Sequence, residues 1–477
     1  MSKRLIFLLL IVFACSVNGF CQIKGVPTVI LFEKTYYKYE VKAKETIYSL
    51  CKRFNTTPEE LQSLNPTVSA GLKKGQVLLI PAHDLEKKEA DQVVVAPLIK
   101  SNDTTVRTAM GSEKRKNTLF ISTDRPRITV LLPFAPTNVA GSNERYIEFY
   151  EGLLLAVDSL KSLGLSFEVQ ALECGHDAAT ISKLIDNGQL DETDYCIGGT
   201  TPEQISLLSE WAKKNHRYLI FPFSSRIPEM ESNPYLFQTN TPHLYMFDRL
   251  ADYAAQRVGD TNVIFLKAST DESDIRAQLI PRVQAKFKRL GIPYIEVADD
   301  ENLELLSKAL SETKLNQIMP TPLNMQETNN LLTRLGAFHK ANPNFQMVLV
   351  GYPDWMAINK GYQKYLYDLN TIIYSNFYAD TQQKNVRDFQ ILFNQTYDQN
   401  LMNTYPKYGM MGYDIAGYFI PRMVFEKSEV SDTVRYLSPL QSEFKFGTTN
   451  ALSGASNQSF FIIRYTPENE VEVKVMH

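Results

Sequence analysis

Apolar positions change period several times along this chain, and each change marks an element. Near the start, "YKYEV" alternates, which places Tyr37, Tyr39 and Val41 on one face of a strand. Thr46 then caps a helix whose apolar residues Ile47, Leu50, Cys51 and Phe54 fall at helical spacing. "NTT" breaks it, and Pro58 with Glu59 and Glu60 opens a second helix that runs to Leu64. "LKKGQVLLIP" turns at Gly75 and ends in a short strand over 77–80, closed by Pro81. This order of strand, helix, helix, strand (βααβ) relies only on local turns and caps. It predicts a small independent module over residues 37–82.

Residues 83–126 lose the periodicity. "EKKEADQ" and "KSNDTTVRTAMGSEKRKN" are charged and polar with few large apolar residues, the texture of a flexible linker. From Arg127 onward, buried strands and amphipathic helices alternate. "ITVLLPF" precedes the helix "ERYIEFYEGLLLAVDSLKSLG", whose solvent stripe is read as Glu144, Glu148, Glu151 and Asp158. "SFEVQAL", "YCIGG" and "YLIFPF" continue as strands, with helices at 178–185 and in "PEQISLLSEWAKKN". The pattern then restarts. "HLYMFDRLADYAAQRV" and "ESDIRAQLIPRVQAKFKRLG" read as helices, and "NVIFLK", "YIEV", "QMVLVG" and "TIIYSNF" as strands. The fold class is therefore α/β, with two mostly parallel, doubly wound sheets forming two lobes across a cleft.

Composition narrows the setting. A formal net charge of −3 over 477 residues leaves no broad basic field for phosphates, which argues against a nucleic-acid partner. In "MSKRLIFLLLIVFACSVNGFCQ", Lys3 and Arg4 precede an apolar run too short to span a bilayer. Residues 1–21 therefore read as a signal peptide cleaved before Gln22, and the mature chain is expected to be exported to the periplasm. An alternative takes "VFAC" as a lipoprotein signal and anchors the chain to the membrane through Cys15.

Cleavage leaves Cys51, Cys174 and Cys196, an odd count that requires at least one free thiol. Cys174 and Cys196 end the second and third strands of the first lobe, which in doubly wound order flank the first strand. Two strand spacings are about 9.6 Å, beyond the roughly 7 Å that a disulfide tolerates between Cα atoms. All three thiols are expected to be free.

The strand "YKYEV", the run "ETIYSLCKRFNTTPEELQSLNP" and the ending "LKKGQVLLIP" resemble the LysM family over residues 37–82, with Lys44 where that family usually has glycine. The resemblance implies binding of N-acetylglucosamine-containing glycans, hence peptidoglycan as a partner. It places the groove between Lys44, Glu45, Thr46 and Ile47 on one side and Asn65, Pro66 and Leu72 on the other. Backbone groups and small polar side chains there suit sugar amides, which need hydrogen-bond partners once desolvated.

"EFYEGLLLAVDSLKSLG", "IGGTTPEQISLLSEWA", "FPFSSRIPEM" and "FNQTYDQN…YPKYGMMGYDIAGYFI" resemble type I periplasmic binding proteins, the branched-chain amino-acid receptor group, over 127–477. The resemblance implies three crossings between lobes, expected near Asn240, Ala379 and Ser442. Lobe 1 would then hold 127–240 and 381–441, and lobe 2 would hold 241–380 and 442–477. In the resembled receptors the corresponding loops hold the ligand's amino-acid backbone. Here their hydroxyls at strand carboxyl ends and a helix N-terminus lead to the expectation of a ligand carboxylate held by Thr200, Thr201, Ser224 and Ser225, with Tyr352 and Asn376 reaching from the second lobe. Phe221 and Phe223 stand where small residues are usual and would narrow such a pocket.

Catalytic patterns are lacking. The six histidines show no zinc spacing, and there is no P-loop, no G-x-S-x-G elbow and no G-x-G-x-x-G after a strand, so no metal, cofactor or enzymatic role is expected. Cys174 and His176 lie two apart in "ECGHD", a poor geometry for a thiol catalyst. The expected function is a non-enzymatic, exported, cell-wall-associated binding protein, whose two-lobed domain takes an amino-acid-like solute or serves as a protein-contact platform. An activator of peptidoglycan synthases is the alternative, because some lipoprotein activators of penicillin-binding proteins resemble the same two-lobed fold, and a wall hydrolase is a third reading. A cell-wall synthase or another envelope protein is the corresponding partner.

Overall fold

The computed structural model describes residues 26, 28–31, 34–65, 72–81, 125–136, 143–268, 271, 273–425, 436–450 and 452–477. The signal peptide, Cys15, Pro66 and all of the linker but its last two residues lie outside the described residues. The chain divides into two compact units.

The N-terminal unit contains β1 (Thr28–Leu31), β2 (Lys34–Glu40), α1 (Ile47–Phe54), α2 (Pro58–Leu64) and β3 (Val77–Pro81). The strands form one antiparallel sheet in the order β1-β2-β3, so a third strand joins the two read from sequence. Tyr37 and Tyr39 lie opposite Ile80 and Leu78 and close over Phe54, Leu50 and Leu61 in a small core. Thr46 and Thr57 each form a complete capping box, with Ser49 and Glu60. Lys44 adopts φ +70°, so the tight turn survives without glycine. Glu45 pins it, accepting from the Lys42 N–H at 2.7 Å and the Tyr39 hydroxyl at 2.7 Å.

The second unit starts with β4 (Arg127–Leu132), α3 (Glu144–Ser162), β5 (Glu168–Glu173), α4 (Ala178–Asp186), β6 (Tyr195–Gly198), α5 (Pro202–Asn215), β7 (Tyr218–Phe221) and β8 (Leu236–Gln238). It continues through α6 (His243–Arg257), β9 (Asn262–Lys267), α7 (Leu279–Leu290), β10 (Ile295–Ala298), α8 (Glu304–Ala309), β11 (Asn316–Pro320), α9 (Met325–Ala341), β12 (Met347–Gly351), α10 (Lys360–Asp368) and β13 (Ile372–Ser375). It ends with α11 (Lys384–Tyr397), α12 (Tyr408–Phe425), β14 (Phe446–Thr448), β15 (Ala455–Asn457), β16 (Phe460–Tyr465) and β17 (Val471–Met476).

Two seven-stranded sheets result, ordered β14-β15-β8-β7-β6-β4-β5 and β10-β9-β11-β12-β13-β16-β17. Strand β4 lies between β5 and β6, and Cys51, Cys174 and Cys196 are all free and buried. The central strands are mostly parallel and largely apolar, as strands covered on both faces tend to be.

Two readings change. The third crossing does not fall near Ser442, because β14 and β15 pair with the first lobe beside β8 and the chain passes over only between Asn457 and Phe460. These strands are short and rich in Gly, Thr and Asn, so they carry no apolar signal. Glu148 does not face solvent. It is buried, and its carboxylate accepts from the N–H of Met402 and, at 2.9 Å, of Gly409 at the start of α12, where a helix N-terminus favours an anion.

Helices α3 and α12 touch backbone to backbone. A Cβ at Gly412 would lie 1.9 Å from the Phe149 carbonyl oxygen, and one at Gly152 would lie 1.8 Å from that of Gly409. Nearby, the buried Asp414 carboxylate accepts from the N–H groups of Leu440, Gln441 and Ser442 at 2.7, 2.9 and 2.8 Å. That segment pairs with the crossing strand through the Phe377–Ser442 bridge and the bond from the Tyr378 N–H to the Gln441 carbonyl.

Gly412→Ala is expected to destabilise the second unit by about 3 kcal/mol or more, read as a lower urea midpoint, because the backbones must separate. Burial outweighs the three donors and pushes the Asp414 carboxyl up to about 7. Its folded-state pKa thus exceeds the unfolded value near 3.9, the folded chain binds more protons in between, and its stabilisation falls as pH rises through that window. Asp414→Asn, which does not titrate, should therefore destabilise most near pH 4 and least above pH 7, the gap closing by at most about 4 kcal/mol in urea titrations across pH.

Candidate functional site

Two surfaces carry the residues singled out from sequence. In the N-terminal unit, Lys44 and Thr46 are exposed, while Ile47 and Leu72 are half-buried against one core. The Thr46 hydroxyl accepts from the Ser49 N–H at 3.1 Å, so its main task is the cap. Glu45 is committed to its turn and to Arg53. Burial would raise its pKa, but the Lys42 N–H, Tyr39 hydroxyl and Arg53 outweigh this and hold the carboxyl below its ordinary range. Asn65 is buried and donates to the Leu61 carbonyl at 2.8 Å, ending α2. Sequence reasoning passed over Tyr48, which is 76% exposed beside Ile47 and presents an aromatic face. Its signal was present, a ring at a helical position off the apolar stripe.

In the larger unit, the chain leaves both sheets at strand carboxyl ends, so those loops line the side where the lobes are joined. The Thr200 N–H and hydroxyl both donate to Gln204 Oε1, at 3.0 and 3.1 Å, and the Thr201 hydroxyl accepts from the Gln204 N–H at 3.3 Å. The fully buried Gln204 side chain then donates to the carbonyls of Cys174, Gly175 and Asp177 at 2.9, 3.1 and 3.2 Å. Ser224 is tied to the backbone of Arg226. Among the described residues, only Ser225 of these four hydroxyls makes no hydrogen bond. Gly198 serves sheet packing, because a Cβ there would lie 2.1 Å from the Leu131 carbonyl oxygen.

Phe221 is fully buried in the opposite layer with Ile205 and Leu208 and cannot narrow a pocket. Phe223 is half-buried among rings of α3 and α12. Its ring meets Tyr146 and Phe149 at 5.0 Å each and Tyr408 at 6.3 Å, and the exposed Arg145 guanidinium lies 4.7 Å from the Tyr146 ring and 6.0 Å from that of Tyr408. This aromatic and cationic wall brings together residues far apart in sequence.

From the second lobe, Tyr352 does not reach across. It is 1% exposed, donates to the Pro320 carbonyl at 2.9 Å and packs on Trp355 and Tyr374. Apolar neighbours on β11 and β13 bury it as core. Arg276 covers it at 5.7 Å, ion-paired to Asp274 at 2.6 Å and Asp354 at 2.7 Å. Asn376 is half-buried, and its Oδ1 has no hydrogen-bond partner among the described residues. Cys174 and His176 do not form a pair. The thiol is buried, which pushes it up to about 12, whereas the exposed His176 ring bonds Asn143 Oδ1 at 2.8 Å.

The LysM family profile matches residues 39–81, and this segment is a LysM domain. Among solved structures, the chain is similar to a protein from Rhodospirillum rubrum assigned to branched-chain amino acid ABC transport, with a TM-score of 0.54 at 12% identity, covering 73% of this chain and 100% of that one. It is also similar to the branched-chain amino acid transporter substrate binding protein LivJ from Streptococcus pneumoniae, solved in complex with isoleucine, with a TM-score of 0.41 at 14% identity over 74% of this chain and 99% of that one. No curated protein matches the chain. The two-lobed unit thus has the fold of type I periplasmic binding proteins, and the N-terminal unit is the LysM domain. No described helix is long and apolar enough to cross a membrane.

Gln204→Leu should leave three carbonyls and Thr200 without their side-chain partner, while the Thr201 cap on the backbone N–H of residue 204 persists. Destabilisation of about 2–3 kcal/mol is expected in urea unfolding.

Proposed function

We propose that this protein is an exported, wall-associated, non-catalytic binding protein that holds peptidoglycan through its LysM domain and presents its two-lobed domain as a contact platform for an envelope protein. The observation that supports the platform is the first-lobe wall. Three of the four candidate hydroxyls serve their own loops, Phe223 fills the adjoining space, and the exposed Arg145 with the half-buried Tyr408 offers the aromatic and cationic chemistry that protein interfaces favour. A peptidoglycan synthase is the partner to test first, given the glycan module on the same chain.

A second reading has its own support. Among the described residues, Ser225 and the Asn376 Oδ1 make no hydrogen bond, and such groups suit a small solute carrying a carboxylate and an amino group.

On the glycan side, Tyr48 would stack on a sugar face while Lys44 and Thr46 meet its amide. Purified sacculi should retain the full chain and release no soluble muropeptides, and Tyr48→Ala should weaken retention roughly tenfold. Equal retention of a chain lacking residues 22–82 would defeat the anchoring reading. On the other side, Arg145→Glu with Tyr408→Ala should abolish stimulation of a purified synthase. A thermal shift of the wild type with leucine or isoleucine would instead favour the solute reading.

A further inference from the structure

The second lobe holds a cavity that neither reading uses. Helices α6 and α7 cover one face of its sheet, and beside α6 that face is left open to a cavity of about 430 Å³. Its floor is hydrocarbon: Val348, Val350, Ile372 and Ile462 from neighbouring strands, with Leu250 and Ala254 as the α6 wall. The volume lies within the range of small-molecule pockets. Its lining runs along the strands from Gln317, Val348 and Ile372 near their starts to Met319, Val350 and Tyr374 near their ends.

The rim has a definite charge. Tyr253 on α6 carries two cations, the Arg257 guanidinium at 4.6 Å and the Lys474 ammonium at 5.0 Å from its ring. Neither is ion-paired among the described residues. A third cation, Arg464, bonds Asn370 at 2.8 Å and shares Glu472 at 3.4 Å, so the rim keeps an excess of positive charge. Tyr374 also lines the cavity, and its fully buried hydroxyl has no hydrogen-bond partner among the described residues.

We infer that this cavity binds a single-chain anionic amphiphile, with its hydrocarbon against the sheet and its head group against Arg257 and Lys474. The lining rewards removal of hydrocarbon from water. The two unpaired cations select the head: an anion gains both, a neutral head gains neither, and a cationic head is repelled. Tyr253 joins the selection, because its ring holds both cations at the mouth rather than leaving them free on α6 and β17.

Isothermal titration of the full chain with decanoate, octanoate and decyltrimethylammonium, below their micellar concentrations, tests this. Decanoate should bind, and octanoate roughly tenfold more weakly for two fewer methylenes. Decyltrimethylammonium should bind at least tenfold more weakly than decanoate. Arg257→Glu with Lys474→Glu should erase that head-group preference at an unchanged thermal midpoint, and Ala254→Trp should fill the cavity and abolish decanoate binding. The inference is overturned by no decanoate binding, by equal affinity for both head groups, or by a preference that survives the rim reversal. A concentration-dependent dimer in sedimentation, dissolved by the same substitutions while decanoate fails to bind, would show that a second copy covers the groove and would equally overturn it.

Discussion

The two-lobed domain depends on how segment 440–442 is held. Three consecutive backbone N–H groups converge on one buried carboxylate, Asp414, and the same segment is paired with the chain as it leaves the second lobe. Burial disfavours the charge of this carboxyl, and the three donors offset only part of that cost. Here the donors are the joint itself. The joint and the helix α12 that carries Asp414 are thus one unit, and α12 is locked in turn to α3 by the glycine contact and by Glu148. The first-lobe loops inherit their positions from that frame.

This frame gives the candidate site its character. A pocket for a free amino acid needs uncommitted donors at the strand ends. At these ends, Gln204 gathers two threonines and three carbonyls into a closed local network. Apart from Ser225 the loop hydroxyls are internally satisfied, and Arg145 stands exposed beside the half-buried Tyr408. Three of the four strand-end hydroxyls thus serve their own loops, and fold alone does not carry function.

What could be read from the chain follows the range of the interactions involved. The LysM domain is built from caps, turns and a short apolar stripe, all local, and its outline and both helix starts were legible. So were the buried parallel strands and the restart that marks a second sheet. Strands β14 and β15 were not, because β15 is placed by pairing with β8 more than two hundred positions away, β14 pairs only with β15, and neither has an apolar run. Glu148 was misplaced for the same reason, since nothing near it announces the helix N-terminus it serves. Tyr352 reads as a cleft residue from its loop position, yet the second-lobe core encloses it. Lys44 is the converse case, where a local rule asked for glycine and the Glu45 bonds keep the turn without it.

The three buried thiols bear on how such a chain matures. Exchange begins with a thiolate, and burial raises the pKa of Cys51, Cys174 and Cys196 alike. Once folded, none is a ready nucleophile, and none depends on a partner cysteine for its place. In the oxidising exterior proposed for this protein, the race is between burial and oxidation during folding. A chain that completes its strands first arrives with no covalent crosslink to proofread.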